Sequence, residues 1–223
     1  MTYNFDFGPV WLTMDQLLWG AWLTIRLTAI SSIVGLLIAI LCVLMRMHGG
    51  RIGRIVVSAY VEVIRNTPLL VQIFFIFFGL PTLGVRFDPT TAALVAMTAN
   101  VGAYATEILR AGVESIPAGQ SEAGFALGLS PMQIFRKIIL PPAIRAVYPA
   151  LSSQFIMLLL GSSVVSAISA NDLTAIANTI QSQNLRSFEV YFIVIVLYLL
   201  MSILFRLAFN AIYKTVYQRK GHW

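Results

Sequence analysis

Residues 121–145 read SEAGFALGLSPMQIFRKIILPPAIR, one Glu, two Gly, three Pro and a basic cluster between long apolar runs. The second half opens like a helix. Ser130 can cap it, Pro131 suits the first helical position, and Gln133 can reach back as in a capping box. Ile134, Phe135, Ile138 and Ile139 then fall on one face, with Gln133, Arg136 and Lys137 on the other. That pattern predicts a helix lying along a membrane surface, its basic side toward water or anionic headgroups. Pro141 and Pro142 are expected to end it before the next apolar run. The first half, Glu122 to Leu127, reads as a second short helix, and Gly128 can supply the sharp turn between the two. Ala123, Gly124 and Ala126 leave little bulk, so another protein could approach the backbone there, with Glu122 offering one charge. A plain connector between two membrane spans would share these features, and residue chemistry alone leaves both readings open.

Composition sets the surroundings of this stretch. Of 223 residues, 58% are hydrophobic and 11% charged, with mean hydropathy +0.83, which points to lipid as the solvent. The net charge of +6 does not imply a nucleic-acid partner, because Lys and Arg are scattered between apolar runs rather than gathered in a stripe with aromatics. Cys42 is the sole cysteine, and His48 and His222 lie far apart beside basic residues, so no metal site is expected. The opening MTYNFDFGPVW is acidic and aromatic without a basic start, so no cleavable signal peptide is expected.

A bilayer core needs roughly 20 mostly apolar residues per helix. Five runs qualify, at about 19–46, 60–80, 89–112, 143–169 and 188–213, within a single transmembrane domain covering 1–223. The fold class expected is therefore an all-α membrane protein of about five transmembrane helices, with the quoted loop at 117–141. Five spans put the termini on opposite sides. Arg46, Arg51, Arg54, Arg136, Lys137, Arg145, Lys214, Arg219 and Lys220 fall on one side, against Arg86 and Arg186 in the loops of the other. The positive-inside rule then places the N-terminus outside and the C-terminus and quoted loop in the cytoplasm. Tyr3, Trp11, Trp19 and Trp22 would form an outer aromatic belt.

In order along the chain, several motifs agree with one family. Gly119-Gln120-Ser121-Glu122-Ala123-Gly124, Leu127-Gly128-Leu129, Phe135 and Ile139-Leu140-Pro141 resemble the EAA loop of ATP-binding-cassette (ABC) importer permeases. Gly124 stands where the third small residue of the motif is usually Ala. Residues 60–70, YVEVIRNTPLL, are similar to the second-span signature of the polar amino acid subfamily. Gly102-Ala103-Tyr104, Glu107-Ile108, Arg110 and Glu114-Ser115-Ile116-Pro117 are similar to its third. The likeness runs from about Gly20 to Tyr213. It implies a type I ABC importer permease fold, an inner (cytoplasmic) bacterial membrane, and import of polar amino acids. It also implies coupling helices in the loop that dock on a cytoplasmic ABC ATPase dimer, through Gly119, Gln120, Glu122, Ala123, Gly124, Leu127, Gly128 and Phe135. The implied partners are that ATPase, a second permease subunit and an extracytoplasmic substrate-binding protein. No GxxxxGK[ST] phosphate loop is present, so the chain itself is expected to be no enzyme, to bind no cofactor, and to leave ATP and Mg to the partner.

Polar residues within the spans are the candidates for a substrate path. Thr67 precedes Pro68, which frees a backbone carbonyl and is expected to kink the second span beside Arg65; such a break lining a cavity is a common transporter device. Asn100 and Tyr104 lie one turn apart on the third span. Gln154, Ser162 and Ser163 interrupt the fourth, where small hydroxyls equally suit close helix packing. Relatives in the subfamily usually carry a Lys-Asp pair where this chain has Leu160 and Gly161. That departure favours a heterodimer whose other half keeps the charges, with a homodimer as the alternative. Glu107, Arg110 and Glu114 are spaced for an ion-pair ladder on one helix. Two other classes compete. A secondary transporter driven by an ion gradient would show inverted repeats and intramembrane acids. A membrane enzyme would need a nucleophile–base or metal constellation in the bilayer. Neither signature is convincing here.

Overall fold

A computed structural model describes residues 4–215, without the side chain of His48. Tyr3, Arg219, Lys220 and His222 lie outside the described residues. Among these residues every regular element is helical. Helix α1 (Gly8–Trp11) leads into α2 (Met14–His48), followed by α3 (Gly50–Arg65) and α4 (Leu69–Phe74). Then come α5 (Pro89–Glu114), α6 (Ala118–Ala126), α7 (Pro131–Ile134), α8 (Leu140–Gly161), α9 (Leu173–Asn184) and α10 (Ser187–Tyr213). Four helical stretches are long and apolar enough to cross a membrane, and a fifth is the pair α3–α4 taken as one bent span.

Small residues make α5 the central helix. Ala92, Ala93, Ala96, Met97, Val101, Ala103 and Ala105 are all fully buried, so neighbouring backbones come close and dispersion contacts accumulate. Its largest contact is with α2. At their crossing Gly35 faces Val101 and the Thr98 carbonyl so closely that a Cβ would stand 2.3 Å from the valine. One apolar core gathers Leu27, Ile73, Met97, Phe155 and Ile168 around α5. A second joins α1, α2, α9 and α10 through Val10, Leu17, Leu173, Ile180 and Val190. Outward, Trp11, Trp19 and Trp22 are all more than half exposed, as are Ile195, Leu199, Leu204 and Leu207 on α10.

The kink expected at Pro68 is present and sharp: α3 stops at Arg65, and the continuation Leu69–Leu83 leaves at 107°. One expectation needs correction: Pro141 and Pro142 do not end the surface helix. A π turn at Phe135–Ile139, in which Leu140 N–H donates to the Phe135 carbonyl five residues back, joins α7 to α8. The wider turn comes just where the two rings would strike the carbonyls of Lys137 and Ile138, and the prolines then occupy the first turn of α8, where N–H groups need no helical partner. The helical path therefore runs unbroken from Pro131 to Ile168.

Helix α9 lies between the last two of the five expected runs. Asp172 caps it, accepting from Ala175 N–H at 2.7 Å and from the Tyr198 hydroxyl at 3.3 Å, while Leu173 N–H donates to Thr24 at 3.0 Å. Asp172 is wholly buried, and burial pushes its carboxyl up to about 6. Since the folded value exceeds the unfolded one, the stability linked to this proton is complete below about pH 4 and is lost as pH rises through about 6. Asp172→Asn keeps a capping side chain but has no proton to lose. Melting of the wild type in nanodiscs should fall between pH 5 and 7.5 more steeply than that of the variant; equal slopes would exclude Asp172 as the source.

Candidate functional site

The break between α3 and α4 builds a cleft. Its stop is made by local side chains: Asn66 donates to the Glu62 carbonyl at 2.9 Å and the Thr67 hydroxyl to the Val63 carbonyl at 2.7 Å. Pro68 is extended, with ψ 141°, and its carbonyl starts α4 by accepting from Val71 and Gln72 N–H. Around this corner lies a cleft of about 420 Å³, lined by Arg65, Asn66, Thr67, Asn100, Tyr104 and Gln154, with Met157 and Leu158 below. The Arg65 guanidinium sits 5.3 Å from the centre of the Tyr104 ring, a cation–π stack that holds a positive charge at the rim. Four of the six residues expected on a substrate path, Thr67, Asn100, Tyr104 and Gln154, thus come together from the α3–α4 break, α5 and α8.

Ser162 and Ser163 do not join them. Both fall in a 3₁₀ stretch, Ser162–Ile168, and spend their hydroxyls on backbone: Ser162 donates to Leu159 O at 2.7 Å and Ser163 to Leu160 O at 3.0 Å. Ser162 is also fully buried. A residue that sequence reasoning missed stands behind the cleft. Gln72 donates through Nε2 to the carbonyls of Ile64 and Thr67, both at 2.8 Å, and accepts at Oε1 from Asn100 Nδ2 at 3.2 Å. The available signal was its position four residues after Pro68, one turn into the new helix.

On the last turns of α5, Arg110 bonds both Glu107 and Glu114, an intrahelical ladder as the spacing suggested. Beyond it comes the quoted loop. Helix α6 ends in a Schellman motif: Leu129 N–H reaches the Gly124 carbonyl at 3.1 Å and Gly128 N–H the Phe125 carbonyl at 2.9 Å. Gly128 takes φ +73°, where a side chain would be strained. Ser130 then starts α7 with a complete capping box. Its N–H donates to Gln133 Oε1 at 2.9 Å and its hydroxyl accepts from Gln133 N–H at 3.4 Å.

These two motifs fold α6 against α7 and the π turn. Gly124 is buried there, and a Cβ would lie 2.8 Å from Ile138 and 2.9 Å from Ile134. Its lack of a side chain serves packing inside the loop, which accounts for Gly in place of Ala. Gly119, Gln120, Glu122, Ala123, Leu127 and Gly128 are exposed and Phe135 is half-buried. With Phe125 and Met132, both more than half exposed, they form a surface that mixes apolar side chains with bare backbone.

The family described as binding-protein-dependent transport system inner membrane component matches residues 17–220. The chain is 41% identical over 188 residues to the L-cystine transport system permease protein TcyB of Bacillus subtilis, covering 82% of this chain and 80% of that one. It is 38% identical over 202 residues to the glutamine transport system permease protein GlnP of Escherichia coli K12, covering 90% and 92%. Among solved structures, a chain of an amino acid ABC transporter crystallised with histidines superposes with TM-score 0.90 at 35% identity, over 96% of this chain and all of that one. The inward-facing MetNI methionine ABC transporter gives TM-score 0.75 at 27% identity, over 92% and 97%. The chain belongs to the family of binding-protein-dependent transport system inner membrane components, and is a permease subunit of an ABC importer.

Proposed function

We propose that this permease carries polar amino acids, and that the cleft at the α3–α4 break is where they pass. The observation that carries this is the convergence of Arg65, Thr67, Asn100, Tyr104 and Gln154 on one concave surface. A zwitterion leaving water needs donors and acceptors for both its charges, and a guanidinium, a hydroxyl and two amides supply them. The permease names and titles among its relatives, for cystine, glutamine and histidine, agree with that chemistry.

The loop at 117–141 is the coupling element. Its exposed residues Gly119, Gln120, Glu122, Ala123, Leu127 and Gly128 dock on a cytoplasmic ABC ATPase dimer, with Phe135 and Gly124 supporting them from within. ATP and Mg belong to that partner, and this subunit performs no hydrolysis. The whole chain acts as one transmembrane domain in a bacterial inner membrane, N-terminus outside and C-terminus in the cytoplasm, the orientation that the loop charges favour. A substrate-binding protein delivers the amino acid from outside. A second permease completes the path, and Leu160 with Gly161 in place of a charged pair favours a different chain over a second copy.

Reconstitution tests this. Proteoliposomes holding the full complex and the loaded binding protein should take up a polar amino acid only with ATP inside, and vanadate should stop it. Uptake driven by a proton or sodium gradient without ATP would overturn the proposal. Two copies of this permease and no other in the purified complex would rule out the heterodimer.

A further inference from the structure

Behind the cleft, an amide relay begins at the missing N–H of Pro68. In an unbroken helix the Ile64 carbonyl would accept from residue 68, and proline has nothing to give. The Thr67 carbonyl loses its usual partner as well, because Val71 N–H turns to Pro68 O. Gln72, only 7% exposed, places its side-chain nitrogen 2.8 Å from each of these two oxygens. A primary amide has two N–H bonds, and both are now committed. The only group that Gln72 can offer to Asn100 is therefore its oxygen, an acceptor. Asn100, at 3.2 Å, must answer with its own nitrogen.

The consequence reaches the cleft. Asn100 is a lining residue with its Nδ2 tied to Gln72, and its Oδ1 has no hydrogen bond among the described residues. Two carbonyls fix Gln72 and Gln72 fixes the Asn100 amide, so Oδ1 is the acceptor that Asn100 can offer the cleft, beside the second N–H of its Nδ2. Arg65 supplies the opposite polarity at the rim beside Tyr104. We infer that Gln72 is a positioning residue that holds Asn100 Oδ1 as the acceptor for the substrate's ammonium group, the carboxylate lying toward Arg65. This rests on the amino acid reading of the cleft.

The test uses the reconstituted complex of permeases and ATPase in nanodiscs, with radiolabelled L-glutamine as probe and 4-carbamoylbutanoate as the same molecule without its ammonium. Asn100→Leu removes the acceptor but leaves the Gln72 bonds to Ile64 and Thr67 in place. Gln72→Met keeps the volume and frees the Asn100 amide to turn. Each is expected to weaken glutamine binding roughly tenfold or more. The double variant should be no weaker than Asn100→Leu alone, since Gln72 acts through Asn100. Wild type should prefer glutamine to the deaminated analogue, and Asn100→Leu should lose most of that preference. Additive losses, or a preference that survives in Asn100→Leu, would overturn the inference. Should Gln72→Met fail to fold, the Asn100→Leu preference decides alone. If the wild type in proteoliposomes shows no ATP-driven uptake of any common amino acid, the reading of the cleft falls, and the inference falls with it.

Discussion

Membranes from cells producing a Gly35→Leu variant are expected to hold little folded permease. A Cβ at position 35 would stand 2.3 Å from Val101 Cγ1, 3.0 Å from the Thr98 carbonyl and 3.1 Å from Gly102 N. The valine can rotate, but the two backbone atoms cannot, so α2 must lift from α5 along the largest contact in the molecule. Extra methylenes in a packed core typically cost about 1–3 kcal/mol, and backbone opposition moves this site to the upper end or beyond. Size-exclusion of detergent-solubilised, fluorescently tagged protein reads the loss, with Gly119→Leu as the control because nothing lies within 4 Å of a Cβ there. A Gly35→Leu protein that is monodisperse and melts like wild type would mean that α2 and α5 do not press together as described.

Glu122→Lys should act in the opposite way, leaving the permease folded and stopping transport. Glu122 is exposed on α6 and engages in no ion pair among the described residues, so reversing its charge removes no internal contact. If α6 is the docking helix, the ATPase should be lost from the purified complex and ATP-driven uptake should fall by about tenfold or more, the scale of a charge-assisted contact broken at an interface. Gly128→Val reaches the same end through geometry. A β-branched residue at φ +73° strains the Schellman turn by roughly 1–2 kcal/mol and turns α6 away from α7. Copurification stoichiometry and uptake check both variants. Normal ATPase association and uptake in both would remove the coupling role from this loop.

Sequence revealed what depends on local chemistry. The apolar runs behind α2, α5, α8 and α10 were visible as lengths of uncharged residues, and the capping box at Ser130 and turn at Gly128 as residue types at fixed offsets. What depends on distant partners was hidden. Gln72 reads as one amide in a greasy run, because the carbonyls it serves lose their usual partners four residues on only once Pro68 has turned the chain. The same proline announced a kink but not its 107°. Gly124 looked like an open docking site, and only the folded loop shows Ile134 and Ile138 against it. A hydroxyl at Ser162 or Ser163 reads equally as a substrate contact or as helix packing, because its chemistry is the same whether or not a backbone carbonyl accepts from it. Pro141 and Pro142 misled most plainly, since a π turn two residues upstream reverses their usual meaning.

The unbroken path from Pro131 to Ile168 has a consequence for how the chain can change over time. Gln154, at the cleft, and Gln133, in the capping box of the loop, lie on one helical rod. Each residue of such a rod adds about 100° of rotation and 1.5 Å of length. Substitution between them leaves that angular phase alone, but inserting or deleting one residue turns the loop and the cleft against each other by more than a quarter of a circle. The two ends are therefore locked in register, and this interval should vary in composition while holding its length.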